Sequence, residues 1–585
     1  MEITRRNLLG AGTVAGVGLL LPLRLTTAAN AAIPLGVTPF TEALPTLSDM
    51  GVIDATKGGT ATIRMVNATH RFHQAMAATP TFAYRSNGGV QDYLGPVIVA
   101  KRNVPFNLTV VNELGAHPLA GAMDFGIDGA VPLDATAPRA AVHLHGGNTD
   151  PASDGDPLDF FGHGASKTYQ YGNTQEAAGL WFHDHALGIT RLNVLAGLAS
   201  GYLIRDANDP GDGTLLPAPP YEVPLVVQDR MFNADGTFDY PPNTNEGTPR
   251  RWVPEFFGDV ATVNGKAWPQ LAVAQGKYRF RVYNGSNARF YHFRFMSGSL
   301  ALGFFQIGTD GGLLDRPVSL TSLLLAPGER ADLVVDFAPL SPGAKVILTN
   351  DAPAPYPDGD TPPLAQIMRF TVTGARGWTK ALTTTTNLRA RTAPITRLAG
   401  LKVDNTRSVS LVEVHNEFDS PLMVLMNNRS FSDPTGEMTV KSNTLEQWEF
   451  INTTVDAHPM HLHFAQFQVL DRQSFDVAGY SIAAGYVEAD GETSTGPGAG
   501  IFPPPSVDKF LVRGSRRAPD ANELGWKDTI VCPPGQVTRI RVPFGPNAVP
   551  GQPMAIGRAH TGRYVSHCHI LEHEENDMMM RYLIQ

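Results

Sequence analysis

At 585 residues the chain is long enough for three or four domains of about 150 residues each. Its 42% hydrophobic and 17% charged residues are ordinary for a globular protein, and 58 Gly with 46 Pro point to many turns between short strands, hence to an all-β fold. A formal charge of −9 with no Lys/Arg-rich block excludes the basic face that a nucleic-acid partner requires.

The first 32 residues read as an address. Thr4-Arg5-Arg6-Asn7-Leu8-Leu9 precedes an apolar run to Leu23 and small residues through Ala32, the order of a twin-arginine export leader with cleavage near Ala31. The mature chain is therefore expected in the periplasm or outside the cell. The apolar run is short and broken by glycines, and no later segment reaches the length of a spanning helix, so no membrane span is expected in the mature chain.

Three stretches then share one rhythm, an alternating apolar strand ending in Asn: Phe106 to Asn112, Tyr278 to Asn284 and Trp448 to Asn452. This self-similarity predicts a repeated β-domain over residues 33–207, 216–375 and 385–585. A Pro-rich joint near Asp209–Pro220 and a Thr-rich joint near Ala381–Thr396 separate the copies. A His-x-His pair follows the first and third strands but not the second, so the middle copy is expected to be a metal-free spacer. Gly308-Thr309-Asp310-Gly311-Gly312 lacks the spacing of a phosphate loop and reads as a hairpin turn. The Gly-, Pro- and Ser-rich segment from Gly485 to Leu524 is either a mobile insertion or a cover over a site.

Ten of the 17 histidines fall into four short motifs: His143-Leu144-His145, His183-Asp184-His185, His458-Pro459-Met460-His461-Leu462-His463, and His567-Cys568-His569 continuing to His573. In a strand, residues i and i+2 face the same way, so each His-x-His presents two imidazoles side by side. Two motifs lie near each end of the mature chain, which predicts a metal cluster where the first and third domains meet. Only two cysteines exist. Cys532 has no histidine beside it and reads as a buried structural thiol. Cys568 faces away from His567 and His569, so it serves a different ion. Cys568, His573 and Met578 follow at steps of five, and with His458 they make the two-histidine, one-cysteine, axial-methionine set of a blue-copper centre. Zinc more usually takes a tetrahedral site without a thioether. An electron arriving at Cys568 can leave through the peptide bonds to its two histidine neighbours.

The strings HLHGG, WFHDH, HPMHLH and HCHILEHEENDMM resemble the four copper motifs of the multicopper oxidases. Ile189–Val194, Val263–Pro269 and Gly525–Thr529 further resemble the spore-coat laccase and bilirubin oxidase branch. The resemblance implies three cupredoxin-like Greek-key β-barrels and four copper ions. His143 and His461 would bind the type 2 ion; His145, His183, His185, His463, His567 and His569 the type 3 pair; and His458, Cys568, His573 and Met578 the type 1 ion. It also implies a small-molecule electron donor, a phenol or aromatic amine, with dioxygen reduced to water. Asp456 stands where the fungal bilirubin oxidases carry tryptophan, so bilirubin specificity does not carry over. Oxidation of Cu(I) or Mn(II) is the rival activity, one that carboxylates or methionines near the type 1 site would favour. Reducing dioxygen to water consumes four protons, and Glu574 and Asp154 resemble the acids that stand near the oxygen site in that branch.

Overall fold

The computed structural model describes residues 36–585 apart from 244–249, 363, 417–420, 490, 492, 552–553 and 555–557. The segment that reads as an export leader lies outside the described residues.

Strands dominate the described chain and form six sheets, two for each third of the sequence. In the first third, the strands Thr79–Ser86, Gly59–His70, Phe106–Glu113 and Ser166–Tyr171 pair in that order and face a five-stranded sheet that ends in Ala199–Arg205, Gly179–Asp184 and Val142–His145. Sheets of seven and six strands make the middle sandwich, and two five-stranded sheets make the last. Three consecutive two-sheet sandwiches are what the sequence repeat predicts.

The repeat has a physical basis in the three Asn-terminated strands. Phe106–Glu113, Lys277–Asn284 and Leu445–Asn452 each run parallel to the first long strand of their own sandwich and antiparallel to a later one. Side chains of the first alternate strictly inward and outward, Phe106, Leu108 and Val110 entering the core. The Asn at each strand end is buried and makes the same corner. Asn112, Asn284 and Asn452 each accept from the backbone N–H two residues on and donate through Nδ2 to two backbone carbonyls. One short amide thus satisfies three backbone groups that the strand end would leave buried and unpaired.

The cores follow from the same alternation. Ile63, Leu108, Val142, Phe182 and Tyr202 fill the first sandwich, and Trp448, Phe450, Met460, Ile530 and Tyr582 fill the third. Each such side chain contributes about 1.5–3 kcal/mol by leaving water. The middle core runs on into the first sandwich, joining Phe280 and Phe370 to Tyr93, Trp181 and Leu192. The Pro-rich joint is pinned rather than loose: Asp209 is buried against Arg279 and Arg281, both at ion-pair distance. Gly308–Gly312 is the turn of the antiparallel hairpin between Phe304–Thr309 and Gly312–Leu320. Among the described residues no helix is long and apolar enough to cross a membrane.

Candidate metal centre

Strand register brings the four motifs together. In the first sandwich His143 stands opposite His183, and in the third His461 stands opposite His567. The two layers then meet face to face, with the rings of His143 and His463 stacked at 3.7 Å and those of His145 and His461 stacked at 3.7 Å. Only the first histidine of each pair lies inside its strand in three of the four motifs; His185, His463 and His569 sit just past the strand end. The side-by-side arrangement persists, with ring centroids 5.1–5.8 Å apart within each pair.

The cluster falls into overlapping buried groups: His145, His183 and His569 form one triad, His185, His463 and His567 a second, and His143 joins His461 and His463 in another. Nε2 of His143 and Nε2 of His461 face each other at 3.4 Å, leaving a two-histidine position beside the triads. A fourth buried group joins His458, Cys568 and His573. There Cys568 Sγ lies 3.7 Å from Nδ1 of each histidine, and the two Nδ1 atoms are 3.2 Å apart. Met578 is fully buried beside them, its carbonyl accepting the Cys568 N–H at 2.9 Å. Cys568 and its neighbour His567 thus serve different groups, as strand alternation requires.

Side-chain chemistry fits a metal at these positions. Nε2 of His145 and His183 and the ring of His569 are buried without a hydrogen-bond partner, a costly arrangement unless a cation takes one lone pair from each. Four rings point Nδ1 at a backbone carbonyl: His143 at Asp154, His183 at Asp184, His461 at Asp528 and His567 at Cys568, all within 2.9 Å. A carbonyl only accepts, so Nδ1 carries the proton and Nε2 is left free to ligate. Burial pushes His183 down to about 3 and His185 to about 4. Burial also pushes the Cys568 thiol well above its ordinary value, so a thiolate there needs a bound cation.

The two expected proton carriers lie against the triads in different states. Glu574 sits between His567 Nδ1 at 3.1 Å and His185 Nε2 at 3.5 Å. Burial raises its carboxyl, while the neighbouring His185 and His567 and a hydrogen bond from His567 lower it below the ordinary carboxylate value. Asp154 Oδ2 lies 2.6 Å from His463 Nδ1, and Oδ1 accepts from Thr149 Oγ1 at 2.8 Å. Burial pushes Asp154 up to about 8, against the Thr149 hydrogen bond.

The middle sandwich does more than space the outer two. Its Arg330 donates to both oxygens of Asp528 and comes within 3.0 Å of His145 Nδ1. Gly328, at φ +80°, lies so close to His569 that a Cβ there would meet the ring at 2.5 Å. Glu255 Oε1 lies 3.4 Å from His573 Nε2, while Thr454 Oγ1 lies 2.7 Å from His458 Nε2. Burial lowers His573, but Glu255, with Glu413 and Asp456 beyond it, raises it above the ordinary histidine value. No histidine motif marks Arg330, Gly328 or Glu255, which is why the motifs alone miss them. Asp528 falls within the Gly525–Thr529 string, where sequence could have flagged it.

Cys532 is buried opposite His458, and burial pushes its thiol up to about 12, as suits a structural thiol. The segment Gly485–Leu524 is anchored by Tyr486, which hydrogen-bonds Ser410 at 2.6 Å, and by the Glu523–Arg472 pair at 2.7 Å. Its Pro497 and Gly498 line a cavity of about 610 Å³ together with Met423, Asp128, Asn576 and Asp577, the last two directly before Met578.

The multicopper oxidase family model matches residues 404–585. A laccase of Bacillus subtilis (strain 168) is 37% identical, over 92% of this chain and 97% of its own length. The multicopper oxidase LPR1 of Arabidopsis thaliana is 36% identical, over 89% of this chain and 87% of its own. Among solved structures, the McoA multicopper oxidase of Aquifex aeolicus superposes with a TM-score of 0.70 at 23% identity, covering 94% of this chain and 100% of that one.

Proposed function

This chain belongs to the multicopper oxidase family, copper-dependent oxidoreductases that use dioxygen as acceptor, and from that premise we propose that it is a laccase-like oxidase of phenols and aromatic amines holding four copper ions. The observation that carries the reading is the split at one tripeptide: Cys568 belongs to one histidine group while His567 and His569 belong to two others. His458, Cys568, His573 and Met578 hold the type 1 ion, His143 and His461 the type 2 ion, and the two triads the type 3 pair. Bound copper supplies the one-electron chemistry that joins single-electron donors to the four-electron reduction of dioxygen. The chain orients it. Backbone carbonyls fix four imidazole tautomers, the Cys568 backbone links donor side to oxygen side, and Asp154 and Glu574 stand against triad histidines as the carboxylates for proton delivery. The leader directs export, which a processed protein outside the cytoplasm would report.

A second reading for the donor has its own support. Glu255 lies 3.4 Å from His573 Nε2, and Glu413 and Asp456 act electrostatically on the same ring, and such carboxylates favour a hard reduced cation such as Mn(II) over a neutral phenol. Oxygen uptake by the copper-loaded protein, with copper counted per chain, tests both. Four coppers and saturable uptake with phenols support the laccase reading; uptake with Cu(I) or Mn(II) but not with phenols transfers it to the metal ion. Fewer than four ions, or no uptake with any donor, refutes the proposal.

A further inference from the structure

The helix Leu571–Glu575 stands between the donor-side and oxygen-side groups and serves both. Its His573 faces Cys568, and its Glu574 faces His185 and His567. Five residues are too few for a helix to hold its own position, since most of its backbone groups have no partner inside it. Its placement is imposed from outside: the Leu571 N–H donates to the Asn287 carbonyl at 3.0 Å, Trp252 Nε1 donates to the Glu572 carbonyl at 2.8 Å, and two acids that touch no copper ligand add side-chain contacts.

Glu575 accepts the backbone N–H of Arg191 on Oε1 at 2.7 Å and the Arg191 guanidinium on Oε2. The other guanidinium nitrogens of Arg191 donate to the Tyr240 hydroxyl at 3.2 Å and the Ala122 carbonyl at 3.1 Å. Glu572 Oε1 in turn accepts from Tyr240 at 3.2 Å and from Asn287 Nδ2 at 2.8 Å. Arg191, Asn287, Glu572 and Glu575 are all buried. Arg191 belongs to the helix Thr190–Ala196, which begins five residues after His185 and is tied back to that motif by Thr190 Oγ1 donating to the Ala186 carbonyl at 3.0 Å. One side chain therefore joins the segment that carries a triad histidine to the helix that carries His573.

We propose that Arg191, acting through Glu575, is a positioning residue for electron passage: it sets His573 against Cys568 and Glu574 against His185 and His567 in one movement. This rests on the copper assignment made above. Three acceptors in three directions require the planar fork of arginine; lysine keeps the charge but offers one compact donor head.

Two copper-loaded variants test the proposal, Arg191→Lys and the pair Arg191→Met with Glu575→Met. The paired change removes both charges and fills their volume, which often leaves stability unaltered or improved. Copper content, melting temperature, the blue absorption band with its electron paramagnetic resonance hyperfine splitting, and single-turnover reoxidation by dioxygen are measured for each. The expected result is four coppers and a near-native melting temperature, with a shifted blue band, altered hyperfine splitting and severalfold slower reoxidation. Wild-type spectra and reoxidation rates in both variants overturn the proposal. So does joint loss of copper and folding in both, which makes the pair scaffolding only. A wild-type protein that is not blue counts instead against the copper assignment.

Discussion

Replacing Asp154 with Asn tests the electrostatics of the oxygen side. The native carboxyl is raised by burial from 3.8 to about 8, whereas the unfolded chain returns it to the ordinary value. Between those limits the native state keeps a proton that the unfolded state has released, so this group's contribution to stability is greatest below pH 4 and falls as pH rises toward 8. Over the window from pH 5 to pH 8 the loss is about 4 kcal/mol, at ~1.4 kcal/mol per pKa unit. Asn at this position keeps the side-chain size and the backbone carbonyl that accepts from His143, but it has no charge to suppress. In the copper-free protein the variant should therefore gain on the wild type by about 4 kcal/mol between pH 5 and pH 8, roughly 10 °C in the melting of a domain this size. Calorimetry of both proteins at half-unit pH steps reads the difference directly, and the common histidine contributions cancel in it. A difference in melting temperature that stays flat from pH 5 to pH 8 would show that Asp154 is ionised throughout and refute its role as the proton-holding acid.

Three further outcomes follow from the same geometry. Cys568→Ser removes the only thiolate from the His458–His573 group, and should abolish the blue colour and donor oxidation while copper analysis still finds the ions held by the triads. Gly328→Ala brings a Cβ to 2.5 Å from the His569 ring at a φ of +80°, and should lower type 3 copper content while the blue band stays; full copper occupancy would show that the loop yields instead. Arg279→Met removes one of two arginines shared by buried Asp209 and Asp332, leaving Arg281 to both, and should cost about 1.5–3 kcal/mol in denaturant unfolding without altering the spectrum of the loaded protein.

Much of this molecule can be read locally. Strand alternation puts i and i+2 on one face, so the His-x-His pairs, the opposite facing of Cys568 and the three Asn-ended strands are visible within windows of a few residues. The Asn corners are local as well, since each amide accepts from a backbone N–H two positions on. The family motifs add ligand identity on top of that pattern. What sequence could not supply is whatever depends on how one sandwich packs on another. Arg330 meets His145 across 185 residues, and Glu255 reaches His573 from a stretch with no periodic signal. Asp154 and Glu574 look alike in sequence as acids near ligands, yet burial dominates at Asp154 and raises it, whereas the contacts with His185 and His567 lower Glu574. Arg191 and Glu575, 384 residues apart, become a single buried contact only because three sandwiches close around one short helix. Such contacts are set by the sum of many side-chain volumes across the interfaces, which no short stretch of chain encodes.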